Sequence, residues 1–390
     1  MDFQFTEEQE RFRQEVRDFL EEEIRQGTFK PSCDAWIQGY SLEFTKKVAQ
    51  RGWIGLTWPK EYGGQGCSNI DRFILTEEML RYGAPAACHW FADRQIGSSI
   101  IAFGTEEQKK EILPRILRGE AYVGLGMSEP EAGSDLASLQ TRATEDGDDY
   151  IIDGQKMWTS CARFMNYIYL VARTDPEAPR HRGISEFIIE ANLPGVTITP
   201  TIDITGSEAW GEVFYDGVRV SKKSLIGEKN RGFYQILNQL DYERAGLERL
   251  MGNYSLFDAI IQFTRETKRG EKPLAEDTLI RHKLAQLQIE FEVGRLLTYR
   301  VALVIDEGRA PNWEAAMAKA YSTAFEQHLA TTATEILGLY GQLVAESKWA
   351  PILGMAPHSY LGATGYSLQA GTSEILRNIV ALRGLGLPQS

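Results

Sequence analysis

The chain has 390 residues, too many for one ordinary core, so two or three domains are expected. It is 43% hydrophobic and 25% charged with a formal net charge of −12, which suits a soluble globular protein and argues against a nucleic-acid surface, since that needs a basic face. The four cysteines (Cys33, Cys67, Cys88, Cys161) form no C-x-x-C pair, "MDFQFTEEQE" is no apolar leader, and no apolar run nears the roughly 18 residues of a membrane span, so reduced thiols, a cytoplasmic setting and no membrane contact are expected.

The first third reads as helix. Thr6 and Gln9 make a capping box, with Phe5 before it and Phe12, Val16 and Phe19 at helical spacing after it. Ser41 to Trp53 is a short second helix, and "GLTWPKEYGGQG" is a Gly/Pro loop. Asp71 to Tyr82 and Thr105 to Leu117 are further helices, the latter opened by Thr105 and Gln108. Near Ala121 the texture changes. "DGDDYIIDGQKMW", "MNYIYLVART", "ISEFIIEA", "GVTITPT" and "EVFYDGVRV" are short β-branched and aromatic runs split by Asp-Gly turns, as in a barrel or sandwich. From Arg231 the strands stop. Helical patterns over Gly232 to Glu266, Asp277 to Glu307 and Asn312 to Glu346, and a last one from Thr372, suggest an antiparallel bundle. The expected α+β fold has an N-terminal α-helical domain (1–120), a central β-barrel domain (121–230) and a C-terminal four-helix bundle (231–390).

No G-x-G-x-x-G, phosphate loop, H-E-x-x-H or G-x-S-x-G is present, and the five histidines lack metal spacing, so no metal is expected. Four segments carry more. "LGMSEPEAGSDLASLQ", Leu125 to Gln140, offers hydroxyls and backbone N–H groups that suit a ring edge and a pyrophosphate, or is an ordinary linker. "DGQKMWTSCA", Asp153 to Ala162, places a flat indole beside hydroxyls, as a planar heterocycle or a half-buried edge strand would use it. Ile236, Leu240, Glu243, Leu247, Leu250, Tyr254, Phe257 and Ile261 follow helical spacing, and Glu243 alone is polar. A carboxylate there is a surface residue at the stripe's margin, or paired to a structural Arg, or functional, since burial costs several kcal/mol unless it is paired or neutralised. "SLQAGTSEILR", Ser367 to Arg377, reads as a helix entry whose N–H groups suit a cofactor or anion.

In this order the segments resemble the acyl-CoA dehydrogenase family, over nearly the whole chain. "MSEPEAGSD" is similar to its flavin and substrate turn, "KMWTS" to its W-I-T strand, "ILGLYGQL" (Ile336 to Leu343) to the segment that serves a neighbouring subunit's flavin, and "AGTSEI" to its closing E-G-T-S-E-I. The resemblance implies α,β-dehydrogenation of an acyl-CoA thioester, with FAD held by Leu125, Met127, Ser128, Gly133, Ser134, Trp158, Thr159, Ser160, Gly338, Thr372, Ser373 and Glu374. It implies a substrate site at Ser134, Asp241, Arg244, Ala370 and Gly371, an electron-transferring flavoprotein as acceptor, and a homodimer or homotetramer. Most members carry the catalytic glutamate immediately before G-T, where this chain has Ala370. One branch carries it as E-R in the first bundle helix, which Glu243-Arg244 matches, so the resemblance names Glu243 as the base and leaves Ala370 its backbone N–H on the thioester carbonyl. A second departure is "TKRGEKPLAED", where the family shows R-x-x-F-G on a partner's flavin; Lys268, Arg269 and Arg281 stand nearby. The style of the text is most similar to bacterial members acting on bulky acyl-CoAs, such as steroid side chains or ring fragments. A flavin oxidase or monooxygenase on the same fold, or a non-catalytic subunit of a mixed tetramer, are the alternatives.

Overall fold

The computed structural model describes residues 4–389 except 244–245, and side chains of 238–243 lie outside the description. In chain order come helices α1 (Glu7–Arg25), α2 (Leu42–Gln50), α3 (Asn69–Arg81), α4 (Ala87–Phe91), α5 (Gly97–Phe103) and α6 (Glu106–Leu117). Strands β1 (Val123–Gly126), β2 (Arg142–Asp146), β3 (Asp149–Ser160), β4 (Tyr167–Arg173), β5 (Ile184–Glu190), β6 (Val196–Thr201), β7 (Trp210–Ser221) and β8 (Leu225–Ile226) follow. The last third holds α7 (Gly232–Glu243), α8 (Glu248–Met251), α9 (Tyr254–Glu266), α10 (Thr278–Asp306), α11 (Asn312–Leu337), α12 (Met355–Tyr366) and α13 (Ser373–Ile379). Helical N- and C-terminal domains thus flank a central sheet domain along the sequence, as expected.

Packing divides the chain into two compact units. One comprises Ile37–Cys67 and Pro85–Glu243; the other comprises Met1–Trp36, Ser68–Ala84 and Arg244–Ser390. In the first, an eight-stranded sheet runs β6-β7-β3-β2-β4-β5-β8, with β1 parallel to β4. Alternation explains its core. Ile152 of β3, Ile168 and Leu170 of β4, Phe187 of β5, and Val213 and Val218 of β7 point one way and meet in a single buried cluster, as they do when a sheet curls round its own core. In the second unit α10 and α12 pack on α11, and α1 lies on α3. α1 begins at the capping box expected from Thr6 and Gln9, and buries Val16, Phe19 and Leu20. Its buried Arg13 donates to Glu77 (2.6 Å) and to Glu78 of α3, and Arg295 of α10 also reaches Glu77, so these internal carboxylates are paired.

Three expectations change. Gly232 to Glu266 is not one helix: α7 ends at Glu243, α8 is a single turn, and α9 starts only at Tyr254. Gly252 stands at the second break, where a Cβ would lie 3.2 Å from the Asp34 carboxylate and 3.3 Å from the Trp36 indole nitrogen. The apolar stripe therefore spans three helices rather than one face; Leu247, Leu250, Tyr254 and Phe257 are buried, but the buried position then moves to Ile260. The helix from Asn312 stops at Leu337, and Gly338, at φ +60°, turns it into a 3-10 segment through Gln342. Finally, the stretch from Ala87 to Phe103 is helical with a π turn at Ala92–Ile96, and α12 is an unanticipated helix. α4 is buried on every side, so no polar face marks it, and α12 mixes Gly, Pro and Ser among its apolar residues.

Candidate active site

The sheet unit contributes a turn and a bulge that lie against each other. After β1, Glu129 and Ala132 exchange backbone hydrogen bonds (2.9 and 3.1 Å), closing a tight turn over Pro130 and Glu131. A buried ion pair pins that turn to β3. Lys156, fully buried, donates its Nζ to the Met127 carbonyl (2.9 Å) and to Glu129 Oε1 (2.8 Å). The Glu129 carboxylate also accepts the N–H groups of Gln140 (2.6 Å) and Thr141 (2.9 Å). Burial pushes the Glu129 carboxyl up, but the Lys156 ammonium and these donors outweigh it and hold it below its ordinary range. The Met157 N–H donates to the Ser128 carbonyl at 2.9 Å, so Met127 and Ser128 are anchored while Gly133 and Ser134 remain exposed.

Directly after Lys156 the register against β7 slips, and Trp158 takes φ +59°. For a side chain of that size this backbone state costs of the order of 1–3 kcal/mol and persists only where the surroundings enforce it. The bulge turns the Trp158 indole outward, 53% exposed, and the following Thr159 and Ser160 inward. Thr159 Oγ1 is buried with no hydrogen-bond partner among the described residues. An exposed flat ring beside a buried, unsatisfied hydroxyl fits the edge of a planar heterocycle, and a flavin is such a group. β1 sets Leu125 beside Tyr169 of β4.

The helical unit contributes the loop between α12 and α13. Ala370 (φ +53°) and Gly371 (φ +95°) are consecutive left-handed residues, and the Ser373 N–H closes the loop on the Ser367 carbonyl at 3.0 Å. Thr372 caps α13 by accepting the Ile375 N–H (3.3 Å), so a helix does begin at this G-T-S segment. Glu374 is exposed, and hydrogen bonds from its own backbone N–H and from Thr372 hold its carboxyl below the ordinary range. Lys319, on α11 and 1% exposed, donates to the carbonyls of Tyr366 (2.8 Å) and Gly371 (2.9 Å). Lys268 and Arg269 belong to a two-stranded hairpin with Lys272 and Pro273, and Arg269 reaches Asp277, the N-cap of α10, at 3.3 Å.

The sequence-named residues fall into three groups. In the sheet unit, Leu125 lies on β1, Met127 and Ser128 are bonded to Lys156 and Met157 of β3, Trp158, Thr159 and Ser160 follow on that strand, and Gly133 and Ser134 are exposed after the turn. Ala370, Gly371, Thr372, Ser373 and Glu374 share one loop and helix entry, and Gly338 ends α11. Asp241, Glu243 and Arg244 lie outside the described residues, apart from the backbone of α7 that ends at Glu243. The two buried lysines that hold the pieces were missed by sequence reasoning. Alternation could have found Lys156, which falls on the face of β3 that carries Tyr150 and Ile152, and helical spacing could have found Lys319, whose neighbours Ala315, Ala316, Ser322 and Thr323 are all buried.

Known proteins share this arrangement along the full chain. The family descriptions "Acyl-CoA dehydrogenase, N-terminal domain", "middle domain" and "C-terminal domain" match residues 6–120, 124–218 and 230–385. The acyl-CoA dehydrogenase FadE26 of Mycobacterium tuberculosis is 32% identical, with both chains covered completely. Among solved structures, the Tcur3481-Tcur3483 steroid ACAD superposes with a TM-score of 0.89 at 32% identity, and the ChsE4-ChsE5 complex from Mycobacterium tuberculosis with 0.88 at 32%, each over 100% of both chains. With three successive domain matches in order and full-length relatives above 30% identity, this chain belongs to the acyl-CoA dehydrogenase family of flavin-dependent oxidoreductases.

Proposed function

We propose that this chain converts an acyl-CoA thioester to the trans-2-enoyl-CoA, with Glu243 as the base that removes the α-proton. The C–H beside a thioester is a weak acid, so the reaction needs a carboxylate at Cα and donors on the carbonyl that stabilise the developing enolate. In this reading the Ala370 backbone serves the carbonyl, Asp241 and Arg244 serve the CoA portion, and Ser134 serves the substrate. The Leu125–Ser134 turn and the Trp158–Ser160 bulge hold FAD, which when bound supplies the acceptor for the β-hydride that no side chain can store.

One observation carries the choice of base. The residue before Gly371-Thr372 is Ala370, and the carboxylate that remains in this loop, Glu374, is exposed and held acidic by its own N–H, which makes it a poor proton acceptor. The test is anaerobic stopped-flow reduction of the holoenzyme by a panel of acyl-CoAs. Glu243→Gln should keep FAD and bind the acyl-CoA while slowing reduction about 10²–10⁴-fold, the usual worth of a general base; reduction at the wild-type rate refutes the assignment. Relatives whose names include a steroid enzyme support bulky acyl groups in that panel. An electron-transferring flavoprotein is the proposed acceptor, and rapid reoxidation in air would favour an oxidase instead. A second reading draws on the two-chain names of these two solved relatives: assembly with an unlike subunit in place of a homodimer or homotetramer. Absence of flavin from the isolated chain and its recovery on co-expression would favour that reading.

A further inference from the structure

We propose that Lys319 is a positioning residue for the thioester: one buried ammonium ties the two ends of the Tyr366–Gly371 loop and so fixes where the Ala370 backbone meets the substrate carbonyl. This rests on the proposed function. An ammonium inside a protein is costly unless its donors are satisfied, and its acceptors include the backbone carbonyls of Tyr366 and Gly371 at 2.8 and 2.9 Å. Both positions suit a cation. Tyr366 is the last residue of α12, where carbonyls lack helical partners and the dipole is negative, and Gly371 immediately precedes the cap of α13. Six residues of chain thus start and finish on one atom.

The loop needs such a hold. Ala370 sits at φ +53°, a state that a residue with a side chain does not keep unaided, and Gly371 continues at +95°. The N–H groups of Leu368 and Gln369 turn back to Gly365 at 3.0 and 3.1 Å, so the loop's first half follows Tyr366 and α12. Tyr366 in turn cannot shift, because its hydroxyl donates to the buried Asp34 carboxylate. Asp34 accepts from Asn253 (3.4 Å), which also donates to Glu326 (2.7 Å) and accepts from Ser359 (2.6 Å). The ammonium therefore couples a rigid anchor on one side to the Gly371 peptide on the other, and Ala370 lies between them.

The test uses the holoenzyme and the enoyl-CoA product of whichever acyl-CoA reduces it fastest, labelled with carbon-13 at the thioester carbonyl. Isotope-edited infrared gives the carbonyl stretch, free and bound, and calorimetry on the same samples gives affinity. Wild type should show a downshifted stretch, the mark of a polarised carbonyl. Lys319→Met, which keeps the length and removes the donors, should bind within about threefold, lose most of the downshift, and lower kcat about 10- to 100-fold with little change in KM, somewhat less than deleting an oxyanion donor outright. A folded Lys319→Met protein with the wild-type band and kcat overturns the proposal, even if its Tm falls, because that pattern marks a packing lysine. If the Met variant does not fold, Lys319→Gln is scored on the same band: an intact downshift overturns the proposal and a diminished one supports it. A bound wild-type complex with no downshift refutes instead the underlying assignment of this loop to the thioester.

Discussion

Glu186 gives the protein a built-in dependence of stability on pH. It lies on β5, on the sheet face opposite the core cluster, fully buried, and its Oε2 accepts the Gln235 Nε2–H at 2.8 Å. Gln235 belongs to the first turns of α7 and also donates to the Ile226 carbonyl (3.2 Å) and accepts the Glu228 N–H (3.2 Å). Burial pushes the Glu186 carboxyl from near 4.5 up to about 7, only partly opposed by the nearby Tyr169 hydroxyl and the Gln235 hydrogen bond. Below pH 4.5 the group is protonated folded or unfolded and costs nothing. As pH rises from 4.5 to 7 the unfolded chain ionises while the folded one holds its proton, so stability falls; above 7 both are ionised and the loss is complete. The shift corresponds to about 3 kcal/mol. Glu186→Gln keeps the shape and an acceptor for Gln235 but never ionises. Urea unfolding of the apo forms at pH 4.5 and pH 8, followed by far-UV circular dichroism, should show near-equal stability at the lower pH and the variant more stable by up to about 3 kcal/mol at the higher. A wild-type-to-variant difference that stays constant across this range would refute the reasoning.

Removing the ammonium beneath the turn that follows β1 should be worse than removing the pair. Lys156→Met strands the buried Glu129 carboxylate and should cost about 3–5 kcal/mol, with the Lys156→Met, Glu129→Gln double variant recovering part of the loss, as read from urea midpoints. Thr159→Val should separate the two states of the protein. It removes a buried hydroxyl that lacks a partner, so the apo form should gain about 1 kcal/mol while flavin affinity falls; unchanged flavin affinity by fluorescence titration would show that this hydroxyl faces no cofactor.

The fold was legible where side-chain periodicity and end signals agree. Thr6, Thr105 and Asp277 mark helix starts because a short oxygen-bearing side chain can accept an N–H that the helix cannot, and each does so here. The strands were legible as β-branched and aromatic runs, but of the three Asp-Gly pairs only Asp146-Gly147 makes a turn, between β2 and β3; Asp153-Gly154 and Asp216-Gly217 lie within β3 and β7. Reading failed where tertiary contacts overrule local pattern. The spacing from Ile236 to Ile261 fits one helix almost perfectly, yet the chain breaks twice within it, and at Gly252 a side chain would crowd Asp34 and Trp36, which are more than two hundred residues away in sequence. No local window contains that constraint. The same limit governs the site. Motif text named candidates for the cofactor and thioester contacts, because the residue types such contacts use are chemically constrained. It passed over Lys156 and Lys319, because a lysine is read as solvated unless its neighbours are examined at the period of its own element. Each binds two oxygens from outside its own element, and backbone carbonyls leave no trace in residue identity. An isolated lysine whose neighbours at the period of its strand or helix are all buried is therefore the signal to seek, and what it marks is a piece of backbone held in place for chemistry carried out by other residues.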